Sequence, residues 1–566
     1  MPVLSPSLDS PGRPLYNQHM PARPHARAGR CGAAFVAAAL AIGQTARLYF
    51  IDRDTLGRGL PIDDAYIFLQ YAKNLAAGAG FSFNPGETSF GCTSLVWPLL
   101  LAAGRRLTGA DPIALALFFG AVLFALAAGG TAALVGARTG KTWPALAAGV
   151  LVAASPTLVM NAVSGMETSL TMALLVLYAA LVTADQPRPL ALGIVAGTMT
   201  LNRPESLYFG PGAALLWLGA MAIQRRIQWR PLLWLLLPWA LLCVPAAALI
   251  HAHTGGFLPT TYMGKMIAGG PDALERGLPV RLLFAALSLG DGWWKLRRPL
   301  GPLAPALLAG ILFAAWRAAA GLRRVEVPAG SGWGRLVLFG YLFLPAAYGF
   351  FFPVHPPFGG YYFRYIAPVV IAGTLLGVWG LAELGEWVAE RSGLDPRRRR
   401  RAALLAAVVL VGGQALLWRD QMPEATEVFR REVRLNTGLR REAGTWIARN
   451  VPPAARVMVG YTGLGVVGYY GNHYVLDLGA LINPDIFPFY RAAGRGPEKR
   501  RRAIVEYMDQ RGVEYYVTFA FPPGGEQLVA DPARDPRFVE AARIGSPGEP
   551  AGPYEQVRVY RLSGGR

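Results

Sequence analysis

Two adjacent carboxylates, Asp63 and Asp64, are the side chains in this sequence best placed to do chemistry. They follow Pro61 and Ile62, soon after an apolar segment, and a helical pattern continues from them to Leu75. A carboxylate near lipid costs free energy unless it is paired, capped or used. Because adjacent helical residues point about 100° apart, one carboxylate can cap the helix or bind a metal while the other acts as a general base. A plain helix N-terminus, where Asp63 accepts backbone N–H groups and both charges favour the helix dipole, is the structural alternative.

Three more acids and one arginine lie near the ends of other apolar segments. Glu87 belongs to a loop rich in Gly and Pro, which permit tight turns. Glu167 lies between two apolar segments, and Arg203 and Glu205 flank Pro204. Arg203 can bind an anionic head group that Glu167 or Glu205 orients. Structural ion pairs between neighbouring helices explain the same residues equally well.

The segment after residue 250 carries His251 and His253, followed by Tyr262 and Lys265. A His-x-His pair lies on one face of a strand but not of a helix, and no third metal ligand is evident in the sequence. Surface histidines are therefore favoured over a metal site. Lys265 can bind a phosphate, or its long side chain can extend to the membrane interface.

The motif at 359–365, Gly-Gly-Tyr-Tyr-Phe-Arg-Tyr, precedes an apolar segment and contains Tyr362 and Arg364. Aromatic residues at such a position often form a belt at the membrane interface. They can also stack on the faces of sugars, with Arg364 facing a phosphate.

The composition requires that much of this chain lies in lipid. Hydrophobic residues make up 53% of the 566 residues and charged residues only 16%, and the mean hydropathy is +0.32. A disordered chain is excluded. The net charge of the chain is +20. Because Lys and Arg are enriched in the cytoplasmic loops of membrane proteins, this charge does not require a nucleic-acid partner. Three widely spaced cysteines, Cys31, Cys92 and Cys243, offer neither a disulfide framework nor a CxxC metal site.

Apolar segments of membrane-spanning length predict a helical bundle of about eleven spans. A disordered cytoplasmic tail at 1–30 precedes the transmembrane region 31–418, in which 51–110 forms the first outer loop. Basic clusters at every second boundary, such as Arg397–Arg401, place those boundaries and the N-terminus inside. The segment 93–107 is interpreted as an interfacial or re-entrant helix, because a span there would move five basic clusters outside.

The last region, 419–566, loses the long apolar segments and is rich in Gly, Pro and charge. It contains an amphipathic helix at 429–449 and four strand-like segments at 456–460, 474–478, 514–519 and 556–562. The prediction is a small extracytoplasmic α/β domain. The fold class is thus mainly α, a polytopic transmembrane helical bundle with a C-terminal α/β domain.

An ordered series of short motifs resembles the GT-C type of polytopic membrane glycosyltransferases, and within it the group that includes the mycobacterial terminal arabinofuranosyltransferase. The resemblance covers about 31–490, and the order of the motifs makes it specific. The motifs are Asp-Asp-Ala-Tyr-Ile at 63–67, Phe-Asn-Pro-Gly-Glu at 83–87, Ser-Gly-Met-Glu-Thr at 164–168, Arg-Pro-Glu at 203–205, Leu-Pro-Thr-Thr-Tyr-Met-Gly-Lys at 258–265, Phe-Arg-Tyr at 363–365 and Val-Leu-Asp-Leu-Gly-Ala-Leu-Ile-Asn-Pro at 475–484.

This resemblance implies that a sugar, for example a pentofuranose such as arabinofuranose, is transferred from a polyprenyl-phosphate donor. The acceptor would be a glycan, glycolipid or protein of the cell envelope, on the outer face of the bacterial cytoplasmic (inner) membrane. Asp63 and Asp64 would form the catalytic centre and are also the candidate ligands of a divalent cation, Mg²⁺ or Mn²⁺. The expected donor-binding residues are Glu87, Glu167, Arg203, Glu205, Lys265, Tyr362 and Arg364, and those on the acceptor side are His253, Tyr262 and Asp477.

Two other classes of protein remain as alternatives. A lipid or sugar transporter also has many spans and charges within them, but the polar motifs here collect at one face rather than at the midplane. A non-enzymatic scaffold with a binding domain leaves the acidic and basic motifs unexplained.

Overall fold

The computed structural model describes residues 24–51, 59–186, 188–223, 225, 227–262, 264, 276–322, 332–351, 361–460, 463–494, 496–520, 535–545 and 555–563. These residues form a helical bundle followed by a small mixed β-sheet. The fold class expected from the sequence, mainly α with a C-terminal α/β region, is confirmed at this level.

The helices vary widely in length. In chain order they are Pro24–Phe50, Asp63–Ala76, Val96–Thr108, Pro112–Thr139, Thr142–Ala153, Pro156–Ala162, Thr168–Val182, Pro189–Asn202, Phe209–Ile223, Trp229–Thr254, Leu278–Leu300, Ala304–Leu322, Gly332–Phe339, Leu344–Phe351, Ala367–Arg391, Pro396–Leu435, Arg441–Asn450, Leu464–Gly471, Phe487–Ala493 and Pro497–Gln510.

Within the described residues, six helical segments are long and apolar enough to cross a membrane, or seven if one bent pair is counted. That pair, Thr142–Ala153 and Pro156–Ala162, bends by 59° where the sequence predicts one span. Helices such as Thr168–Val182, with 15 residues, are shorter than the roughly 20 residues that span a bilayer core. The predicted number of about eleven spans is therefore not confirmed.

The structure gives the bounds of two helices near the predicted first outer loop. The first helix begins at Pro24 rather than at residue 31, and residues 1–23 of the predicted tail lie outside the described part. The helix Val96–Thr108 has 13 residues and ends at Gly109, whose φ of 69° suits glycine. It is not among the candidate spans.

The longest helix, Pro396–Leu435, connects the bundle to the C-terminal region. Asp395 caps its start by accepting the backbone N–H groups of Arg397 at 2.8 Å and Arg398 at 2.9 Å. The helix runs without a break through residue 419, where the sequence predicts a domain boundary. A single π-helical turn, Asn436–Arg440, then leads into the helix Arg441–Asn450.

The sheet has five strands in the order β2-β1-β3-β5-β4. The strands are β1 (Arg456–Val459), β2 (Tyr474–Asp477), β3 (Val513–Phe519), β4 (Phe538–Gly545) and β5 (Gln556–Leu562). β1 pairs in parallel with β2 and β3, whereas β5 pairs antiparallel with β3 and β4. The sequence predicted all of these strands except β4. β4 is largely exposed, with the burial pattern of an edge strand.

The sheet and the helix Asp63–Ala76 share one hydrophobic core. Val457 and Val459 of β1 face this core together with Tyr66 and Ile67 of that helix, while Met458 faces the opposite side of the sheet. Such alternation follows from the two-residue period of a strand. Because the helix is packed against the sheet, Asp63 and Asp64 at its start are held in a fixed position.

Candidate functional site

Asp63 connects the start of its own helix to a second helix in the C-terminal region. Its two carboxylate oxygens accept the backbone N–H groups of Gly465 at 3.1 Å and Val466 at 2.9 Å, at the start of the helix Leu464–Gly471. The N-cap residue of its own helix is Ile62, which makes no capping hydrogen bond. The sequence alternative, in which Asp63 accepts backbone N–H groups, is therefore realised with a different helix from the one expected.

Arg440 lies close to Asp63, in the π-helical turn. A Cβ atom on Gly463, where φ is +132°, would lie 2.7 Å from both Asp63 Oδ1 and Arg440 Nε. Burial raises the pKa of the Asp63 carboxyl, and the charge of Arg440 and the N–H of Val466 oppose that rise. Asn436 fixes the same turn by donating to the carbonyl oxygen of Leu60 at 2.8 Å.

The side chain of Asp64, next to Asp63 in the chain, is partly accessible: 35% of its surface is exposed. Its Oδ2 atom forms an ion pair with Arg364 Nη2 at 3.0 Å. The same nitrogen donates to the hydroxyl of Tyr365 at 2.9 Å. A carboxylate with one cationic partner and an exposed surface can still receive a proton from a substrate.

Arg203 lies at the centre of a buried polar cluster. It donates to Glu167 Oε1 at 2.7 Å and to the hydroxyl of Tyr348 at 2.7 Å, and it also binds Glu205. Glu205 in turn accepts from Tyr348. Side chains of the three charged residues are each 7% exposed or less. The interhelical ion pairs that the sequence left open are present.

Tyr365 joins this cluster to the acid pair. The guanidinium of Arg203 lies 5.5 Å from the centre of the Tyr365 ring, and that of Arg364 lies 4.9 Å from it. Both distances are typical of cation–π contacts. A continuous set of polar and aromatic side chains therefore leads from Asp64 through Arg364 and Tyr365 to Arg203.

Asp477 is the last residue of β2, at the carboxyl end of two parallel strands, where ligands often bind in open α/β sheets. Its carboxylate accepts the backbone N–H groups of Gly479 at 2.7 Å and Leu481 at 2.6 Å. Burial raises the pKa of Asp477 to about 6; these two N–H groups oppose the rise, and the charges of Asp63 and Asp64 add to it. Asp477 is thus within electrostatic range of the acid pair.

The other predicted residues are distributed around this centre. Glu87 accepts from Tyr474 of β2 and lies 4.0 Å from Arg511, so that it connects the predicted first outer loop to the sheet. His253 is an exposed residue at the end of the helix Trp229–Thr254, with its ring 5.9 Å from that of Phe90.

The loop that contains Tyr262 approaches the Asp477 turn. Thr260 donates to the carbonyl oxygens of Phe90, at 2.9 Å, and Leu481. Tyr262 follows in the same short helical turn, where its N–H donates to Pro259 at 2.9 Å. Lys265 lies outside the described residues.

The described residues do not form a preformed metal site. No three His, Cys, Asp or Glu side chains in this part of the chain are grouped so that they could hold a metal ion. Both oxygens of Asp63 already accept backbone N–H groups, and one oxygen of Asp64 binds Arg364. His251 and His253 lie in a helix, where residues two apart point in different directions. A divalent cation at Asp63 and Asp64 therefore stays a prediction.

Two cavities lie near this centre. One, of about 420 Å³, is lined by Ile62 beside the acid pair and by Tyr362 and Phe363 beside Arg364. The other, of about 180 Å³, is bordered by Leu258 and Pro259 of the Tyr262 loop and carries no charged side chain. The acid pair is thus next to an amphiphilic cavity, and the loop at the Asp477 turn borders an apolar one.

Sequence reasoning missed Arg440 and Tyr348. Arg440 is one of many arginines in the chain and is separated from Asp63 by more than 370 residues in the sequence. No local pattern marks it, because only the π-helical turn directs it to Asp63. Tyr348 lies within an apolar helix, where an aromatic residue is typical of core packing.

Comparison with known proteins supports the resemblance inferred from the motifs. The chain is 34% identical over 226 residues to the terminal β-(1→2)-arabinofuranosyltransferase of Mycobacterium tuberculosis, covering 37% of this chain and 35% of that protein. The chain therefore matches about a third of the length of this curated relative. A domain of unknown function, DUF8728, matches residues 427–560, which include the whole sheet except its last residues.

Solved structures show the fold over most of the chain. ArnT from Cupriavidus metallidurans bound to undecaprenyl phosphate has a TM-score of 0.52 at 15% identity, covering 93% of this chain and 98% of ArnT. The archaeal oligosaccharyltransferase AglB from Archaeoglobus fulgidus, in complex with an inhibitory peptide and a dolichol-phosphate, has a TM-score of 0.54 at 12% identity. The match covers 87% of this chain and 69% of AglB. The resemblance to GT-C membrane glycosyltransferases, and specifically to the terminal arabinofuranosyltransferase, is thereby confirmed.

Proposed function

We propose that this protein is a membrane glycosyltransferase that moves a sugar from a polyprenyl-phosphate donor to a hydroxyl group of an envelope glycan, glycolipid or protein. One observation carries the proposal. Asp64, 35% exposed and ion-paired to Arg364, stands at the start of a helix whose other face is packed into the core of the sheet. Precise placement of a general base beside a cation is what glycosyl transfer from a phosphate requires.

In the proposed reaction the acceptor hydroxyl oxygen attacks the anomeric carbon of the donor sugar. As the new C–O bond forms, the bond between that carbon and the phosphate oxygen breaks, and the hydroxyl proton passes to an Asp64 carboxylate oxygen. The products are the glycosylated acceptor and the polyprenyl phosphate. A single displacement of this kind inverts the anomeric configuration.

Asp63 has a different role in this proposal. Because its carboxylate is held by Gly465 and Val466 and lies beside Arg440, it positions the C-terminal region over the acid pair. Arg364 is the cation that faces the departing phosphate, where its charge stabilises the oxygen that carries the developing negative charge. Lys265 remains a candidate for the same phosphate.

The lipid class of the donor is supported by the chemistry of the apolar cavity and by the structural neighbours. A cavity without charged side chains suits a hydrocarbon chain better than a phosphate or a sugar. ArnT was solved with undecaprenyl phosphate and AglB with a dolichol-phosphate. The name of the curated relative makes arabinofuranose the first sugar to test. We place the reaction on the extracytoplasmic face of the bacterial cytoplasmic membrane, with the N-terminus inside.

The test is product formation by the purified full chain in lipid nanodiscs. The protein is supplied with a panel of radiolabelled polyprenyl-phosphate sugars and a crude envelope acceptor, with and without EDTA. We expect label in a polymer or glycolipid from one donor of the panel, and loss of that label with Asp64→Asn. Loss with EDTA would assign a divalent cation to the reaction.

The control is Glu386→Gln, which changes another ion-paired carboxylate, one that binds Lys141. Glu386 lies in the helix Ala367–Arg391, about 28 Å along the axis from its first residue, Ala367, which follows Arg364 by three positions. We expect this variant to transfer sugar like the wild type. A folded wild-type protein that transfers sugar from no donor would overturn the proposal. Movement of a lipid or sugar across the membrane without a covalent product would favour a transporter.

A further inference from the structure

The larger cavity, of about 420 Å³, has a mixed chemistry that the proposed mechanism does not use. Its volume falls in the range of roughly 300–1,000 Å³ that is usual for small-molecule sites. Ile62 lines it on one side and Phe363 on the other, and these residues precede Asp63 and Arg364 in the chain. The ion pair between Asp64 and Arg364 is therefore within two residues of the cavity wall on both sides.

The charges of the side chains that line this cavity sum to zero. Arg298 binds Glu424, and Arg431 lies 3.2 Å from Glu432. Two positive and two negative groups line the cavity, and each arginine already has a carboxylate partner. An anionic phosphate placed here would lie near two carboxylates, whereas a neutral ligand with many hydroxyl groups can bind both kinds of charge.

Tyr362 adds an aromatic surface and an unused hydroxyl. Its ring lines the cavity, and its hydroxyl oxygen is buried without a hydrogen-bond partner among the described residues. Most buried hydroxyl groups in folded proteins form a hydrogen bond, and a bound ligand would supply one to Tyr362. Its ring can pack on the C–H face of a sugar.

The backbone that carries Tyr362 is strained. Tyr362 has φ +55° and Phe363 has φ +60°, the left-handed region that non-glycine residues rarely adopt. Asn161 holds the turn by donating to the carbonyl oxygen of Tyr362 at 3.0 Å. Strain of this kind persists where the surrounding structure fixes it, and such positions often belong to ligand sites.

We propose that this cavity binds the acceptor as a neutral, hydroxyl-rich saccharide and presents one hydroxyl to Asp64. The inference rests on the proposed function, which requires a second substrate beside the base. In this assignment the two substrates bind in two cavities of different chemistry. The saccharide occupies the cavity of about 420 Å³, which has balanced charges and an aromatic ring, and the hydrocarbon chain of the donor occupies the uncharged cavity of about 180 Å³. Tyr362, expected from the sequence to bind the donor, is thereby assigned to the acceptor.

The first test measures kinetics with Tyr362→Phe and Glu432→Gln in the full chain, using the donor and acceptor that support transfer by the wild type. Loss of one hydrogen bond to the saccharide should raise the acceptor KM, by about tenfold for the charged group. The donor KM should stay unchanged, because the donor is assigned to the other cavity. A changed donor KM with an unchanged acceptor KM would overturn the assignment. Glu386→Gln is the matched control.

The second test does not depend on activity. Ala425→Cys places a thiol on the cavity wall, in a Cys31→Ser background that removes the exposed native cysteine. Neutral oligosaccharides from the envelope should slow the labelling of this thiol by a maleimide, whereas undecaprenyl phosphate should not. Protection by undecaprenyl phosphate alone, or no protection by the saccharides, would overturn the inference. Protection by saccharides without any transfer would instead overturn the proposed function.

Discussion

Two arginine–carboxylate groups contact the ring of Tyr365, and they differ in what surrounds them. Arg203 is enclosed by Glu167, Glu205 and Tyr348, and every charged side chain in that group is nearly inaccessible. Arg364 is similarly buried, but its partner Asp64 is 35% exposed. Both groups combine an arginine with carboxylates and a tyrosine, so the class of side chain alone does not distinguish a structural cluster from a reactive one.

The difference shows that exposure and the number of partners separate the two roles. Buried ionic groups must be paired, because removing a charge from water costs several kcal/mol. Arg203 meets this requirement with two carboxylates and has a structural role in connecting helices. Asp64 has one described cationic partner and a surface open to a substrate. We therefore propose Asp64 as the reactive carboxylate and a stabilising role for Arg203.

The largest effect is expected for Asp64→Asn. The amide keeps the shape of the side chain but cannot accept the hydroxyl proton, so transfer should fall by about 10²- to 10⁴-fold. The free energy of unfolding should fall by about 1–3 kcal/mol, because the buried guanidinium of Arg364 loses its charged partner while the amide oxygen can still accept a hydrogen bond from it. Transfer assays and thermal unfolding of the same preparation check both. Preserved transfer would contradict the assignment of Asp64 as the base.

Arg203→Met should have the opposite profile. It leaves Glu167 and Glu205 buried without their cation, and we expect a loss of about 3–5 kcal/mol in the free energy of unfolding. The matched control is Arg138→Met, because Arg138 pairs at 2.8 Å with Asp185, whose side chain is 74% exposed. That change should cost about 1 kcal/mol or less. Equal stability losses in the two variants would contradict the comparison.

Asp477 allows the electrostatics near the acid pair to be tested through pH. Its pKa in the folded protein is about 6, above the ordinary value of 3.8. The folded state therefore binds the proton more tightly, and the stability present below pH 4 is lost as the pH rises through 6.

In the variant Asp477→Asn, the loss of stability that Asp477 causes as the pH rises should disappear. Relative to the variant, the wild type should be more stable at pH 4 than at pH 7, by about 2 kcal/mol. Thermal unfolding of both proteins across this pH range measures the difference. A difference that does not vary with pH would show that Asp477 is not buried as described.

The smallest effect is expected for Tyr365→Phe. This change removes the hydroxyl that accepts from Arg364 at 2.9 Å but keeps the ring between the two arginines. We expect a loss of about 1 kcal/mol in stability and less than a tenfold decrease in transfer. Unfolding and rate measurements on the same variant test this. A loss as large as that of Asp64→Asn would mean that the hydroxyl itself takes part in the reaction.

Much of the molecule could be predicted from local patterns. Long apolar segments indicate membrane helices because the bilayer imposes a minimum length, and strand alternation indicated four of the five strands. The acid pair was placed correctly at the first turn of a helix, since Asp63 and Asp64 precede a helical pattern. The number of spans was harder to predict, because helices such as Pro189–Asn202 are apolar but short.

The partners of the acid pair could not be predicted in the same way. Asp63 is held by Gly465 and Val466, and Asp64 by Arg364, at separations of hundreds of residues along the chain. Arg440, at the end of a π-helical turn, lies close to Asp63 although 377 positions separate them in the chain. No local signal encodes such contacts.

The sequence by itself determined which residues are costly to place near lipid, and therefore where to look for a site. Composition and periodicity act locally, so they fix the helical class, the strands and the position of the acid pair. Only the tertiary structure decided which carboxylate stays accessible, because exposure depends on what packs against a side chain from distant parts of the chain. That packing buried Glu167 and Glu205 around Arg203 and left Asp64 open beside a cavity.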